Sequence, residues 1–297
     1  MDGKQWKAKR TSRLSTCKKY TCRLDRGGLD TTGADLLCFN HDSVDQFFTP
    51  PYKSRDTVAI FISGEPQTHI YKANRTKWDG YFNYSAVHTT ETDGTFASFR
   101  HEIKRRLSLV KIDAYKKLKL RRPRALWFVS HCSHRWKQHS VLSGRAEYVQ
   151  ELTKYIDVDV YTRHDSCRKQ LKGLIKKGPE PKLQSYPFYL SFESTLCKDY
   201  ISEKFWKVLE GSGPTIPIAL GGISIDEYNT VAPPNSFIHV KNFSSPSSLA
   251  SHLRYILKRK EDFNYYHQWR SKYYLKKKDN IYTGNSSLIK YFGTFDH

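Results

Sequence analysis

Acid is what this chain has least of: 29 Asp and Glu stand against 50 Lys and Arg, a formal charge of +21 over 297 residues. The excess gathers in residues 100–124 and in Lys276-Lys277-Lys278. Such a balance favours polyanionic partners, whether nucleic acid, anionic lipid or a diphosphate, although most basic runs are simply solvated faces. No window approaches the ~20 apolar residues that a membrane span needs. The opening MDGKQWKAKRTSRLST has no apolar core for a signal peptide, so the sequence as it stands reads as neither spanning nor targeted. The 6 cysteines, Cys17, Cys22, Cys38, Cys132, Cys167 and Cys197, include no CxxC pair, which argues against a zinc site. His131, His134 and His139 fit no ligand template and read as loop histidines. No internal repeat is visible. There is no recognisable RNA or DNA module, and the basic runs are not interleaved with aromatics as in single-strand binders.

What is present centres on Tyr186–Gly211, YPFYLSFESTLCKDYISEKFWKVLEG. The apolar run Phe188–Phe192 suits a strand buried on both faces. The period then changes: Ile201, Phe205, Val208 and Leu209 fall at i, i+4, i+7 and i+8, with Asp199 as N-cap and Gly211 as the stop. A strand therefore feeds a helix through a short polar turn, and Glu203 and Lys204 occupy the first turns of that helix. Ligands bind there in open α/β sheets, and helix amides there favour phosphate. Spacing alone favours a solvated helix start at these two residues.

Around this stretch, strand and helix alternate, the signature of a parallel sheet. Strands are expected over 125–130, 158–161, 188–192, 215–220 and 237–240. Helices are expected over 145–155, over 200–209 and after Ser245-Pro246, where Leu249, Leu253, Ile256 and Leu257 share a face. Earlier in the chain, 35–39 and 57–63 read as strands. Pro66 ends the second and leaves Glu65 at its carboxyl end, where a loop carboxylate or a cleft-facing acid would both fit. Ile103, Leu107, Val110 and Ala114 keep helical spacing, so a basic helix is expected over 99–120, with the inter-domain boundary close behind it. Residues 1–16 are basic and polar and read as disordered. At this length two domains are expected, either able to bury a core. Four sequons, at Asn74, Asn83, Asn242 and Asn285, would be surface loops on a secretory route, where some cysteines would be disulfide-bonded.

The ordered set FYLSFE, DYISEKFW, PIALG, APPNSFIHV and FSSPSSLASHL resembles the donor half of the α-1,3-fucosyltransferases, whose pattern is FYLxFENSxxxDYxTEK, then P-V-V-L-G, then P-x-x-S-F-I. Further matches are the CKKYTCRLDRGG run before ADLLCF, the Gly64-Glu65-Pro66 triplet, RAEYVQEL and EDFNYYHQWR, so the likeness runs from Cys17 to Arg270. There are departures. His88 and Thr89 stand where the family has Tyr and Arg, Ser194 where it has Asn, Pro187 where Lys is commoner, and the C-terminal cysteine-rich tail is missing. Losing that Arg removes a bidentate donor, and a hydroxyl offers fewer hydrogen bonds than an amide.

The resemblance implies an α/β protein of GT-B type, two Rossmann-like domains facing across a cleft. Its expected divisions are a basic N-terminus (1–16), an acceptor-side domain (17–122), a GDP-fucose-binding domain (123–270) and a tail (271–297). It implies inverting transfer of fucose from GDP-fucose to a hydroxyl of a GlcNAc-containing glycan, in α-1,3 linkage. By resemblance Glu65 is the base, and Arg145 and Lys204 meet the diphosphate. Glu203 serves the donor's hydroxyls and the developing oxocarbenium charge, Tyr200 the nucleotide side, and Ser194 a weakened donor contact. No cofactor or metal is required in this scheme, with a divalent cation at most stimulatory, and no nucleic acid is a partner. The implied location is the Golgi lumen, the family's N-terminal anchor being absent from this sequence. Two other readings stay open at this point: a family member that has lost turnover and binds sugar or nucleotide, and a basic nucleic-acid-binding protein.

Overall fold

The computed structural model describes residues 31–40, 44, 49–66, 75–89, 93–95, 101–119, 122–130, 132, 143–163, 165–222 and 224–277, with the backbone of 12–14 and 22–24. The expectation of disorder over 1–16 fails at Ser12–Leu14, which forms a strand, and lies outside the described residues elsewhere, as do those for His131, His134 and His139 and for the tail beyond Lys277. The chain divides into two compact units, one formed by 1–100 with 277–297 and the other by 101–276.

In the first unit, β1 (Ser12–Leu14) pairs antiparallel with β2 (Cys22–Leu24). A separate parallel sheet runs in order from β3 (Leu36–Asn40) through β4 (Val58–Ile62) and β5 (Tyr84–Val87) to β6 (Gly94–Thr95). Its pairings, such as Ile60 with Tyr84, bury Ile60, Ile62 and Ala86 on one side. Helix α1 (Arg75–Trp78) ends in an aromatic cluster on the other side, where Trp78 stacks on Phe82 at 5.4 Å and meets Phe39 edge-on at 5.5 Å. Such pairs add roughly 0.5–1.5 kcal/mol each beyond their buried area.

The second unit begins with β7 (His101–Arg105) and continues through β8 (Arg124–Phe128), α2 (Arg145–Leu152), β9 (Asp157–Tyr161), α3 (Asp165–Gln170), β10 (Phe188–Phe192), α4 (Glu203–Glu210), β11 (Ile216–Leu220), α5 (Ile225–Val231) and β12 (Ile238–His239). It closes with α6 (Pro246–Lys258), α7 (Lys260–Tyr265), α8 (Trp269–Lys272) and β13 (Tyr273–Lys277). Five parallel strands form its central sheet in the order β12-β11-β10-β8-β9. Every residue of β10 and of β11 is buried, as apolar strands covered on both faces must be. One face is covered by α2, α6 and α7 through Val149, Leu152, Leu249, Leu253 and Phe263, the other by α4 and α5 through Phe205, Leu209 and Tyr228. At β9 the buried Asp159 is held by Arg124, whose Nη2 donates to Oδ1 at 2.7 Å, and by Tyr186, whose hydroxyl donates to Oδ2 at 2.6 Å. Ser245 opens α6 with a capping box to Ser248, and Pro246 follows at the first turn. Cys132 and Cys167 form a disulfide that ties the segment after β8 to α3.

Three expectations need correction. Described residues 101–119 of the basic stretch form no α-helix: His101–Arg105 is strand β7, with β13 as its neighbour, and only Tyr115–Lys117 makes a 3-10 turn. Pairing overrides the apolar spacing here. Arg106 N donates to Lys272 O at 2.7 Å, His101 joins the Glu210 carboxylate, and its ring stacks on Trp206 at 4.7 Å. Leu107 and Val110, which a helix would have buried, are exposed. The N-cap of α4 is Ser202, not Asp199, and the helix starts at Glu203 rather than Tyr200. Asp199 instead takes a left-handed conformation with φ 61°, one that short polar side chains tolerate. The last strand covers Ile238–His239 alone, because Val240–Asn242 turns into a 3-10 helix.

Candidate active site

At the carboxyl edge of the central sheet, the chain leaving β10 is stitched to the chain entering α2. Arg145 is the first residue of α2, and its Nη1 donates to Phe192 O at 2.8 Å, the last carbonyl of β10. Two residues earlier, Ser143 Oγ donates to Glu193 O at 2.6 Å and Ser143 N to Ser194 O at 3.3 Å. The guanidinium lies 6.0 Å from the Trp127 ring centroid and the residue is 7% exposed, so the arginine is built into the edge rather than waving from it. Ser194 is half-buried beside it.

Beyond Ser194 the turn carries buried Thr195 and Tyr200 before reaching α4. Glu227, in the first turn of α5, accepts from Asp199 N through Oε2 at 2.8 Å and anchors this turn. Ser202 then caps α4, accepting from Lys204 N at 3.4 Å. Lys204 Nζ donates to Ser202 Oγ at 3.0 Å and to Glu203 Oε1 at 3.3 Å. A half-buried ammonium and a more exposed carboxylate thus share the amino end of a helix, where unpaired amides add positive character.

Sequence reasoning gave no role to the residue at the centre. Glu193 is 0% exposed, its Oε1 accepts from Ser202 N at 2.7 Å, and its Oε2 lies 4.0 Å from Lys204 Nζ. Burial pushes its carboxyl upward against the opposing pull of Lys204 and Ser202. Behind it, Gly221 leaves the space it needs: a Cβ there would meet Tyr228 Oη at 2.5 Å and Glu193 Cγ at 2.6 Å. Tyr228 is buried, and burial together with the Glu193 charge holds its phenol well above its ordinary range. On Tyr189, burial and then the charges of Glu203 and Glu193 act in the same direction. The one signal available was a Glu directly after a predominantly apolar strand, in the run Phe192-Glu193-Ser194.

The structure therefore brings together Arg145, Ser194, Glu203 and Lys204 around Glu193, with Tyr200 buried in the connecting turn. Glu65 belongs to the other unit. It follows β4 by way of Ser63, whose Oγ accepts from Glu65 N at 3.1 Å and donates to Glu65 O at 2.9 Å, so the backbone is fixed at the carboxyl end of a parallel strand. His88 is buried and Thr89 half-buried after β5. Among the described residues, no group of three or more His, Cys, Asp or Glu is placed to hold a metal ion. No helix among them is long and apolar enough to cross a membrane.

A parallel α/β unit with cationic and carboxylate groups at the carboxyl edge of its central strand, next to a helix amino end, has the form of a group-transfer or nucleotide-handling domain. The description "glycosyltransferase family 10 (fucosyltransferase) C-term" matches residues 118–289, more than half of the chain, and the chain belongs to that family. It is 40% identical over 144 residues to the Drosophila melanogaster protein named glycoprotein 3-alpha-L-fucosyltransferase A, covering 48% of this chain and 27% of that protein. It is 32% identical over 151 residues to alpha-(1,3)-fucosyltransferase fut-1 of Caenorhabditis elegans, covering 50% and 31%. The chain thus spans about a third of the length of these relatives. A crystal structure titled alpha1,3-fucosyltransferase with GDP aligns at 16% identity with a TM-score of 0.46, over 78% of this chain and 68% of that one.

Proposed function

We propose that this protein is an inverting α-1,3-fucosyltransferase of GT-B architecture, taking L-fucose from GDP-fucose to a hydroxyl of a GlcNAc-containing glycan. The observation that carries the reading is the convergence of Arg145, Ser194, Glu203 and Lys204 on one edge of the sheet, within the segment that matches the family.

In this reading Arg145 and Lys204 neutralise the departing diphosphate. Glu203 faces the fucosyl ring and its oxocarbenium-like charge, and Tyr200 and Ser194 complete the donor contacts. Glu65, from the first unit, removes the proton of the acceptor hydroxyl. The acceptor oxygen bonds to the anomeric carbon as the carbon–oxygen bond to GDP breaks, and the electron pair leaves with GDP. A β-linked donor becomes an α-linked product. Protein cations carry the neutralisation, so the scheme routes no step through a metal or other cofactor. The Golgi lumen is the proposed location, and the Cys132–Cys167 disulfide supports an oxidising compartment.

The test is transfer of labelled fucose from GDP-fucose, by protein secreted from a eukaryotic host, to N-acetyllactosamine and N-glycan-core acceptors. Transfer is expected, and Glu65→Gln should abolish it while GDP-fucose binding persists. Donor binding without any transfer would refute the enzyme and leave a binder.

A further inference from the structure

Glu193 is a costly residue to bury. It is 0% exposed, Oε2 has no hydrogen-bond donor among the described residues, and the nearest cation, Lys204 Nζ, stands at 4.0 Å. Buried ion pairs seldom stabilise a fold more than well-packed apolar side chains would. The adjoining space is tailored to the carboxylate all the same, since Gly221 gives up its side chain to Glu193 and Tyr228. Stability alone does not account for this arrangement, whereas geometry around Lys204 does. Oε1 takes the amide of Ser202, the residue that caps α4, and so fixes where the first turn starts. Oε2 lies behind the ammonium of Lys204, whose side chain is 22% exposed and whose forward contacts are Ser202 Oγ and Glu203 Oε1.

We infer that Glu193 is the positioning residue of the donor site: it does not touch the donor, but fixes the first turn of α4 through Ser202 and stations the Lys204 ammonium where the diphosphate arrives. This rests on the proposal that Lys204 meets that diphosphate.

The test is a double-mutant cycle on the full chain, read as GDP affinity by calorimetry and as donor KM and kcat. Lys204→Ala should weaken GDP by about thirtyfold and Glu193→Gln, which keeps an acceptor for Ser202 N, by about tenfold. In the Lys204→Ala background, Glu193→Gln should then cost less than about twofold, because the residue through which it acts is gone. Glu193→Asp should recover most of the affinity, and the defect should fall on donor KM more than on kcat. Losses that multiply across the cycle, or a Glu193→Gln protein that binds GDP normally, would overturn the inference while leaving the donor site standing. If Lys204→Ala itself binds GDP as wild type does, the donor-site reading fails first. Should Glu193→Gln not fold, the same cycle run with Glu193→Met, an apolar side chain of similar volume that a buried site tolerates better, decides by the same criterion.

Discussion

Two histidines of the second unit are buried in the neutral form, and acid should find them. His239 on β12 packs against Tyr228 at 5.1 Å and accepts from Lys241 N through Nδ1 at 3.2 Å; burial, and then the charge of Lys241, bring its pKa down to about 4. His267, between α7 and α8, packs on Phe263 at 5.3 Å, and burial with the nearby Arg270 brings it down to about 3. In the unfolded chain both titrate near ~6.5. A base lowered in the folded state gives stability that is complete above the unfolded value and is lost as pH falls toward the folded one. Between pH 7 and pH 5 each histidine therefore removes about 2 kcal/mol, about 4 kcal/mol together, out of a total that for a domain is typically ~5–15 kcal/mol. His252, also lowered by burial, adds in the same direction. Glu193, raised by burial, opposes with a single proton, and Asp159, lowered on balance because Arg124 and Tyr186 outweigh its burial, acts only below this window. Urea unfolding at several pH values, followed by the fluorescence of buried Trp127, Trp206 and Trp269, measures the slope for this unit. His239→Gln and His267→Gln should each flatten it by about 1.4 kcal/mol per pH unit. A wild-type stability that changes by less than about 1 kcal/mol over the range, or variants that keep the full slope, would refute the reasoning.

Other consequences are separately measurable. Arg270 closes the last turn of α4, Nη1 donating to Leu209 O at 2.8 Å with the guanidinium 4.3 Å over Trp269, so Arg270→Ala should cost about 2–3 kcal/mol in urea unfolding. A loss under about 0.5 kcal/mol would remove that role. Gly221→Ala drives a methyl into Tyr228 and Glu193, and should cost about 1–3 kcal/mol and weaken GDP binding; adding Tyr228→Phe, which removes the opposing hydroxyl, should restore part of the stability and is the informative control. The Cys132–Cys167 bond closes a loop of 35 residues, for which chain entropy gives about 3–4 kcal/mol. Cys167→Ser should lower the unfolding midpoint accordingly and make it insensitive to dithiothreitol.

The alternation of strand and helix in the second half was open to reading because its signals are local and agree. Phe188–Phe192 is an apolar run broken only by the small Ser191, and Ser245-Pro246 before Leu249, Leu253 and Ile256 is a start signal followed by a helical stripe. What failed was set by distant partners. Nothing in Phe99–Leu120 announces that His101–Arg105 will lie beside a strand more than 160 residues later in the chain, as Arg106 with Arg270 shows at |i−j|=164. Asp199 and Ser202 are both fair N-caps by type; the choice between them was made by Glu193 and Glu227, which hold Ser202 N and Asp199 N from other elements. The same reason hid Glu193 itself. Its meaning is its burial against Gly221 and Lys204, and a single sequence does not state which glutamate will be enclosed. Arg145, Glu203 and Lys204 are candidates through family likeness alone, since spacing leaves the last two as a solvated helix start.

The most direct test of the donor site is hydrogen exchange of the full chain with and without GDP-fucose, resolved by peptide. The account predicts slowed exchange in peptides covering 143–148 and 199–206, the start of α2 and the turn into α4, and loss of that protection in Lys204→Ala at the same ligand concentration. Unchanged exchange in both segments under donor saturation, or protection confined to other parts of the chain, would contradict it.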